Sequence, residues 1–314
     1  MFRSRAYRYP NEHVVLTLTI LLVLFVIAIT STVTFCLSGV FILVMFLLSA
    51  LLVRSHHQSL MRSAFRVDQT SKPELAHLAA QCGLKLQPGA VDLFLVNQNH
   101  LNAYTFGVRS PKVLVLYTPM LKVMNSGELR FIIGHEMGHV ALGHTWLNTI
   151  VGGMAGIPAP FGAAVLLYTA FRWWNRMCEF SADRAGLLAC GDINIAITSL
   201  VKLVAPDIRT QDDFSRALAL IDTQDDSTSN RLAEAFQSHP MLIRRINALR
   251  DYARTPEYQR FQAAVNHNLG ERQVFTPLQS FVVESQPETA SIQKTTSDLP
   301  PEERWPWLKH KDIP

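Results

Sequence analysis

Two histidines four residues apart with a glutamate between them, His135-Glu136-Met137-Gly138-His139, constrain this chain more tightly than any other stretch. On a helix such residues share a face, so both imidazoles project together with a carboxylate beside them, the arrangement zinc hydrolases use. Upstream, Asn125, Ser126 and Glu128 offer an N-cap and capping-box start for a helix running through Leu129, Phe131, Ile132 and Ile133 into the motif. Downstream, Glu179 and Asp183 stand one turn apart in a proline-free segment of helical composition from Arg172 to Leu188. A catalytic zinc takes three protein ligands and keeps a position for water, and each ligating imidazole needs an acceptor for its other ring N–H. The spacing therefore predicts one Zn2+ per chain, held by His135, His139 and Glu179, with Asp183 as the acceptor and Glu136 as the general base.

The other common zinc pattern, H-E-x-x-H-x-x-G-x-x-H, is excluded, because Leu142 and Thr145 occupy the places that need Gly and His. His144 is off by one residue. It reads as a histidine at the surface or behind the ligands on the next turn.

With these residues in view, the chain resembles the membrane gluzincins that include the HtpX heat-shock protease and the CAAX prenyl proteases. Besides H-E-M-G-H and Glu179-Phe180-Ser181-Ala182-Asp183-Arg184-Ala185-Gly186, it carries Asn102-Ala103-Tyr104 with Gly107, similar to that family's strand element beside the zinc. Ser238-His239-Pro240 followed by Arg245-Ile246 looks like its H-P…R-I element. The resemblance implies a zincin-like metalloprotease domain. It also implies that Asn102, Ala103 and Tyr104 bind substrate backbone and that His239 and Arg245 face the developing oxyanion. Its implied activity is endoproteolysis of protein or peptide substrates, directed at damaged or misassembled membrane proteins. A CAAX-type prenyl-protein protease is the alternative within the same site chemistry, although such proteins have more apolar segments. A non-catalytic scaffold with a structural zinc is the alternative from another class, and it would have no use for Glu136.

No charged residue occurs from Val14 to Val53. About forty apolar residues make a helix roughly twice the hydrocarbon thickness, so the composition predicts a transmembrane helical hairpin turning near Thr30 to Gly39. Arg3, Arg5 and Arg8 precede it and Arg54, Arg62 and Arg66 follow, which by the positive-inside rule predicts an integral membrane protein with a cytoplasmic catalytic domain and the lipid bilayer as a partner. A cleaved signal peptide fits less well, given the length and the lack of a small-residue cleavage site. A second apolar stretch, Trp146 to Trp174, separates His139 from Glu179. Since both ends must reach one metal, it crosses no membrane, and its Gly and Pro residues divide it into two helices. This insert is shorter than that of HtpX itself, which is long enough for two spans.

Between these regions the chain reads as a helix over Lys72 to Gln81 and strands at Leu93 to Val96, Ala103 to Val108 and Lys112 to Tyr117. Helices follow at Ile193 to Val204 and Asn230 to Ala253, with a polar stretch from Asp207 to Ser229 between them. The resulting class is α+β and mainly helical, a small sheet preceding the active-site helix. The expected organisation is a basic flank over 1–13, the hairpin over 14–53, the metalloprotease domain over 54–272 and a disordered tail over 273–314. The four cysteines show no paired spacing, so no disulfide framework is implied. A net charge of +4, dispersed along the chain, gives no grounds for a nucleic-acid partner.

Overall fold

A computed structural model of the chain describes residues 7–33, 44, 47–48, 51, 54–55, 57–151, 162–204 and 240–264. The expected stretch 207–229, His239 and the tail over 273–314 lie outside the described residues. The fold is α+β and mostly helical, with one four-stranded sheet in the order β1-β2-β4-β3. These strands are Phe65–Arg66, Val91–Val96, Lys112–Tyr117 and Ala103–Phe106 respectively. β4 runs parallel to β2 and antiparallel to β3, with Ala103 opposite Leu116 and Phe106 opposite Val113.

Alternation along the strands gives the sheet two apolar faces. Leu93, Leu95, Leu114 and Leu116 enter the main core, whereas Phe94, Val96, Val113, Val115 and Tyr117 pack with Leu60, Met61 and Phe106 on the other side. α2, Pro73–Leu86, starts with proline in its first turn and lays Leu75, Leu78, Cys82 and Leu86 on the main core at helical spacing. The short helix α3, Met120–Val123, then leads into α4, Ser126–Ala141.

α4 begins with a full capping box, in which Glu128 N donates to Asn125 Oδ1 and Asn125 N donates to Glu128 Oε2, both at 2.9 Å. Lys202 Nζ, from α7, Ile193–Val204, donates to both Glu128 carboxylate oxygens at 2.9 Å and pins that end of the helix. Between them in sequence are α5, His144–Val151, and α6, Gly162–Cys190. Residues 152–161 lie outside the described residues. The two-helix reading of the insert thus has a helix on either side of that gap, and the second runs on without a break through Glu179 and Asp183. α8, Pro240–Ala253, closes over α6 and α7, burying Leu242, Ile246, Leu249 and Tyr252.

α4 and α6 approach each other almost backbone to backbone. A Cβ built on Gly134 would lie 2.3 Å from the Ala189 Cβ, and one on Gly138 would lie 2.5 Å from the Ala185 Cβ. Real side chains never stand so close, so these glycines are required by the spacing of the two helices.

The N-terminal region corrects the sequence reading. Glu12–Val33 forms one helix, α1, and residues 34–43 with most of 45–53 lie outside the described residues. Among the described residues no helix is long and apolar enough to cross a membrane. That finding overturns the transmembrane hairpin over 14–53, and with it the bilayer partner, the integral-membrane location with a cytoplasmic domain, and the membrane-anchored form of the endopeptidase. The physical reason lies in how α1 spends one face. Glu12, Val15, Thr19 and Val26 recur at helical spacing and are buried, and Val15 packs with Trp174 and Cys178 of α6. Thr19 Oγ1 donates to Val15 O at 2.8 Å and reaches Ala170 O at 3.4 Å. A stripe containing a carboxylate and a hydroxyl docks on protein, while Val14, Leu18, Leu21 and Phe25 on the opposite face are exposed.

Gly134→Ala is expected to lower stability by about 1–3 kcal/mol through overpacking, more than the roughly 1 kcal/mol that alanine gains in helix propensity. The double variant Gly134→Ala/Ala189→Gly should recover most of the loss in denaturant unfolding. An unchanged midpoint for Gly134→Ala alone would place the two helices farther apart than described.

Candidate active site

α4 delivers His135, Glu136 and His139, each 7 % exposed, to the side of the helix that faces α6. α6 returns Glu179 and Asp183 one turn apart. The Nε2 atoms of His135 and His139 stand 3.2 Å apart, Glu179 Oε2 lies 3.6 Å from His135 Nε2, and Glu179 Oε1 lies 3.5 Å from His139 Nε2. Donors bound at about 2.1 Å to one tetrahedral ion are separated by about 3.4 Å, so these three groups fit a single metal ion without rearrangement. The donor set, two neutral imidazoles and one carboxylate, suits a borderline-soft divalent cation. A metal cofactor is thus supported by the chain's own geometry.

The remaining ring nitrogens are engaged as well. His135 Nδ1 lies 3.0 Å from Asp183 Oδ1, which fixes its proton on that side and turns the Nε2 lone pair inward. Arg245, from α8, grips Asp183 with two bonds, Nε donating to Oδ2 at 2.8 Å and Nη2 donating to Oδ1 at 2.6 Å. Its Nη1 stands 3.2 Å from Glu179 Oε2. His139 Nδ1 lies 3.1 Å from His144 Nδ1.

Electrostatics follow from this packing. Burial alone would raise the Glu179 and Asp183 carboxyls, but the Arg245 guanidinium, aided by the imidazoles, outweighs it and holds both well below the usual carboxylate range. For His139, burial favours the neutral ring, yet the Glu179 carboxylate and the Glu136 charge overcome it and pull its pKa up. The site thus presents a net attraction for positive charge at the point where the three donors converge. Glu136 is close enough for its charge to be felt by both His139 and Arg245.

Of the other sequence-derived residues, Asn102 is exposed, and its carbonyl accepts from Tyr117 N at 3.0 Å, just ahead of β3. Ala103 and Tyr104 lie in β3, the edge strand of the sheet, which is tied to α5 by Thr105 Oγ1 at 3.3 Å from Thr145 Oγ1 and by Gly107 N donating to Thr149 Oγ1 at 3.1 Å. His239 lies outside the described residues. Sequence reasoning missed Glu12, which sits 1 % exposed with Oε1 3.0 Å from His144 Nε2. Its signal was faint: a lone acid at the head of an uncharged apolar run.

The chain is 28 % identical over 209 residues to the plastoglobule-localized metallopeptidase 48, chloroplastic, of Arabidopsis thaliana, covering 62 % of this chain and 60 % of that one. It is 27 % identical over 204 residues to a probable CAAX prenyl protease 1 of Schizosaccharomyces pombe, covering 58 % of this chain and 42 % of that one. A Protease HtpX homolog of Burkholderia mallei is 24 % identical over 234 residues, with 63 % of this chain and 80 % of that one covered. The chain therefore spans less than two thirds of the length of the first two relatives. No solved structure matches it. The HtpX-like resemblance stands in its peptidase part and is corrected in its membrane part. The family model of Peptidase family M48 matches residues 68–253, more than half of the sequence and all of the described metal site, and the chain belongs to that family of metallopeptidases.

Proposed function

We propose that this chain is a zinc-dependent endopeptidase that hydrolyses peptide bonds of protein or extended peptide substrates. The observation that carries the reading is the convergence of His135 Nε2, His139 Nε2 and the Glu179 carboxylate on one point, with Glu136 beside them and not among the converging donors. A closed structural site would use a fourth protein ligand, and the described cluster has three.

Zinc held by His135, His139 and Glu179 would supply a Lewis acid that polarises the scissile carbonyl and acidifies the attacking water. Glu136 takes the proton from that water and later delivers it to the leaving amine nitrogen, a role worth about 10²–10⁴-fold in rate. Asp183 accepts from His135 Nδ1–H and keeps the ring in the tautomer a ligand needs. Arg245 uses three of its N–H groups on Asp183 and Glu179, and the rest are left for an oxyanion on the substrate side. His239 is assigned the same oxyanion role by its place in the motif. Asn102, Ala103 and Tyr104 bind substrate backbone. β3 has one strand neighbour among the described residues, so an extended peptide can add to its free edge through main-chain hydrogen bonds.

The test is cleavage of an unfolded protein such as casein by wild type and Glu136→Gln, with zinc measured on both. Wild-type cleavage with at least a hundredfold loss in Glu136→Gln at equal zinc is expected; comparable cleavage by the two would refute Glu136 as the base. Stripping the metal with a chelator should abolish cleavage, and one equivalent of zinc should restore it. Asp183→Asn is expected to weaken zinc retention about 10–100-fold, read by equilibrium competition with a chromophoric chelator.

A further inference from the structure

His139 faces two ways. Its Nε2 is directed at Glu179 and His135, whereas its Nδ1 faces the Nδ1 of His144. A ring that offers Nε2 to a metal carries its proton on Nδ1, so His139 is the donor and His144 Nδ1 the acceptor. His144 then holds its own proton on Nε2, 3.0 Å from Glu12 Oε1. Donation therefore runs in one direction, from His139 through His144 to Glu12.

The turn between the helices puts His144 in place. α4 ends at Ala141, Leu142 caps it, and Gly143 adopts a φ of 81°. His144 thus opens α5 and comes back behind His139; on an unbroken helix it would lie about 140° further round. Glu12 is held with equal care. It pairs with Arg8 and accepts from the Ser181 hydroxyl. Arg8 Nη2 donates to Leu142 O at 2.9 Å, Tyr9 N donates to Ser181 Oγ at 2.8 Å, and Arg184 Nη1 donates to Arg8 O at 3.3 Å. The Tyr9 ring packs 4.8 Å from Phe180 and 4.9 Å from the Arg184 guanidinium. Residues 8–12 are therefore clasped onto the same turns of α4 and α6 that carry the metal donors.

Glu12, His144 and Cys178 also lie close enough together to hold an ion of their own. Their atoms are already committed. Both His144 nitrogens have partners, Glu12 is shared by Arg8 and Ser181, and burial pushes the Cys178 thiol up, away from the thiolate a metal would need.

We propose that Glu12 and His144 are positioning residues for His139, so that metal retention depends on the docked N-terminal segment, which lies wholly outside the part of the chain matched by the family model. The inference rests on the reading of His139 as a ligand.

Zinc affinity of metal-stripped full-length protein, measured by competition with a chromophoric chelator, tests it. Glu12→Ala and His144→Phe are each expected to bind zinc about 10–100-fold more weakly. Glu12→Gln, which keeps an acceptor oxygen, should lose less. Because the two residues act in series, Glu12→Ala/His144→Phe should bind no more weakly than His144→Phe alone. If the phenylalanine variant does not fold, the ordering wild type, Glu12→Gln, Glu12→Ala decides. A purely structural role would lower the unfolding temperature of the metal-free protein and leave zinc affinity untouched, which would overturn the proposal. Wild-type affinity in Glu12→Ala with none in His139→Ala would overturn it and leave the ligand reading standing; undiminished affinity in His139→Ala would overturn both.

Discussion

The near-contact of the α4 and α6 backbones is the constraint on which the rest of this structure depends. Metal donors must be placed to within a few tenths of an ångström, yet His139 and Glu179 are separated by a long insert and belong to different helices. Ordinary helix pairs stand about 8–10 Å apart on a cushion of side chains, whose rotamers would blur that placement. Here the cushion is removed. Gly134 and Gly138 immediately precede the two histidines, and Ala182, Ala185, Gly186 and Ala189 follow Glu179 on the facing helix. Phe131 closes the row from α4, its ring 2.8 Å from where a Gly186 Cβ would be. Rotating either helix to relieve the crowding would carry the donors away from each other, so steric fit and ligand register are the same requirement.

Such a tight pair leaves its charges poorly solvated, and the chain meets that cost with arginines from outside the pair. Asp183 is 1 % exposed and would be expected to take up a proton if it stood alone. Arg245 reaches it from α8 with two hydrogen bonds and keeps it ionised. Glu12 stands in the same position relative to Arg8, its burial being outweighed by His144, Ser181 and Arg8 so that its carboxyl stays low. Each of the two imidazoles is therefore backed by a carboxylate paired with an arginine, His135 directly and His139 through the His144 ring. An acceptor behind each ring selects the tautomer whose Nε2 faces the other donors.

With both faces of the sheet buried, β4 is fixed between β2 and β3, and the antiparallel register from Ala103 to Phe106 follows from it. β3 is then anchored to α5 by Thr105 and Gly107. The same helix carries His144, so β3 and the ring that faces His139 Nδ1 are fixed to one element.

How much of this was legible in the sequence depends on the range over which each signal acts. The capping box, the short continuous apolar run in Lys112–Tyr117 and the apolar spacing of Ile193–Val204 are local, and the elements form where those patterns lie. Glu179 was legible because its partner Asp183 sits one turn away. Gly134 and Gly138 were in plain view inside the zinc motif, but their meaning depends on which residues of α6 they face, and no local pattern states that. The apolar run from Val14 misled for the converse reason: hydropathy sums over a helix, whereas docking is decided by one stripe of it. Arg8 was read with the basic flank by its charge alone, although the turn that leads into α1 brings its guanidinium onto Glu12. His144 needed one more fact, that the helix stops at Ala141. Once Gly143 turns the chain, the off-by-one spacing that excludes it as a ligand is the spacing that returns its ring to the back of His139.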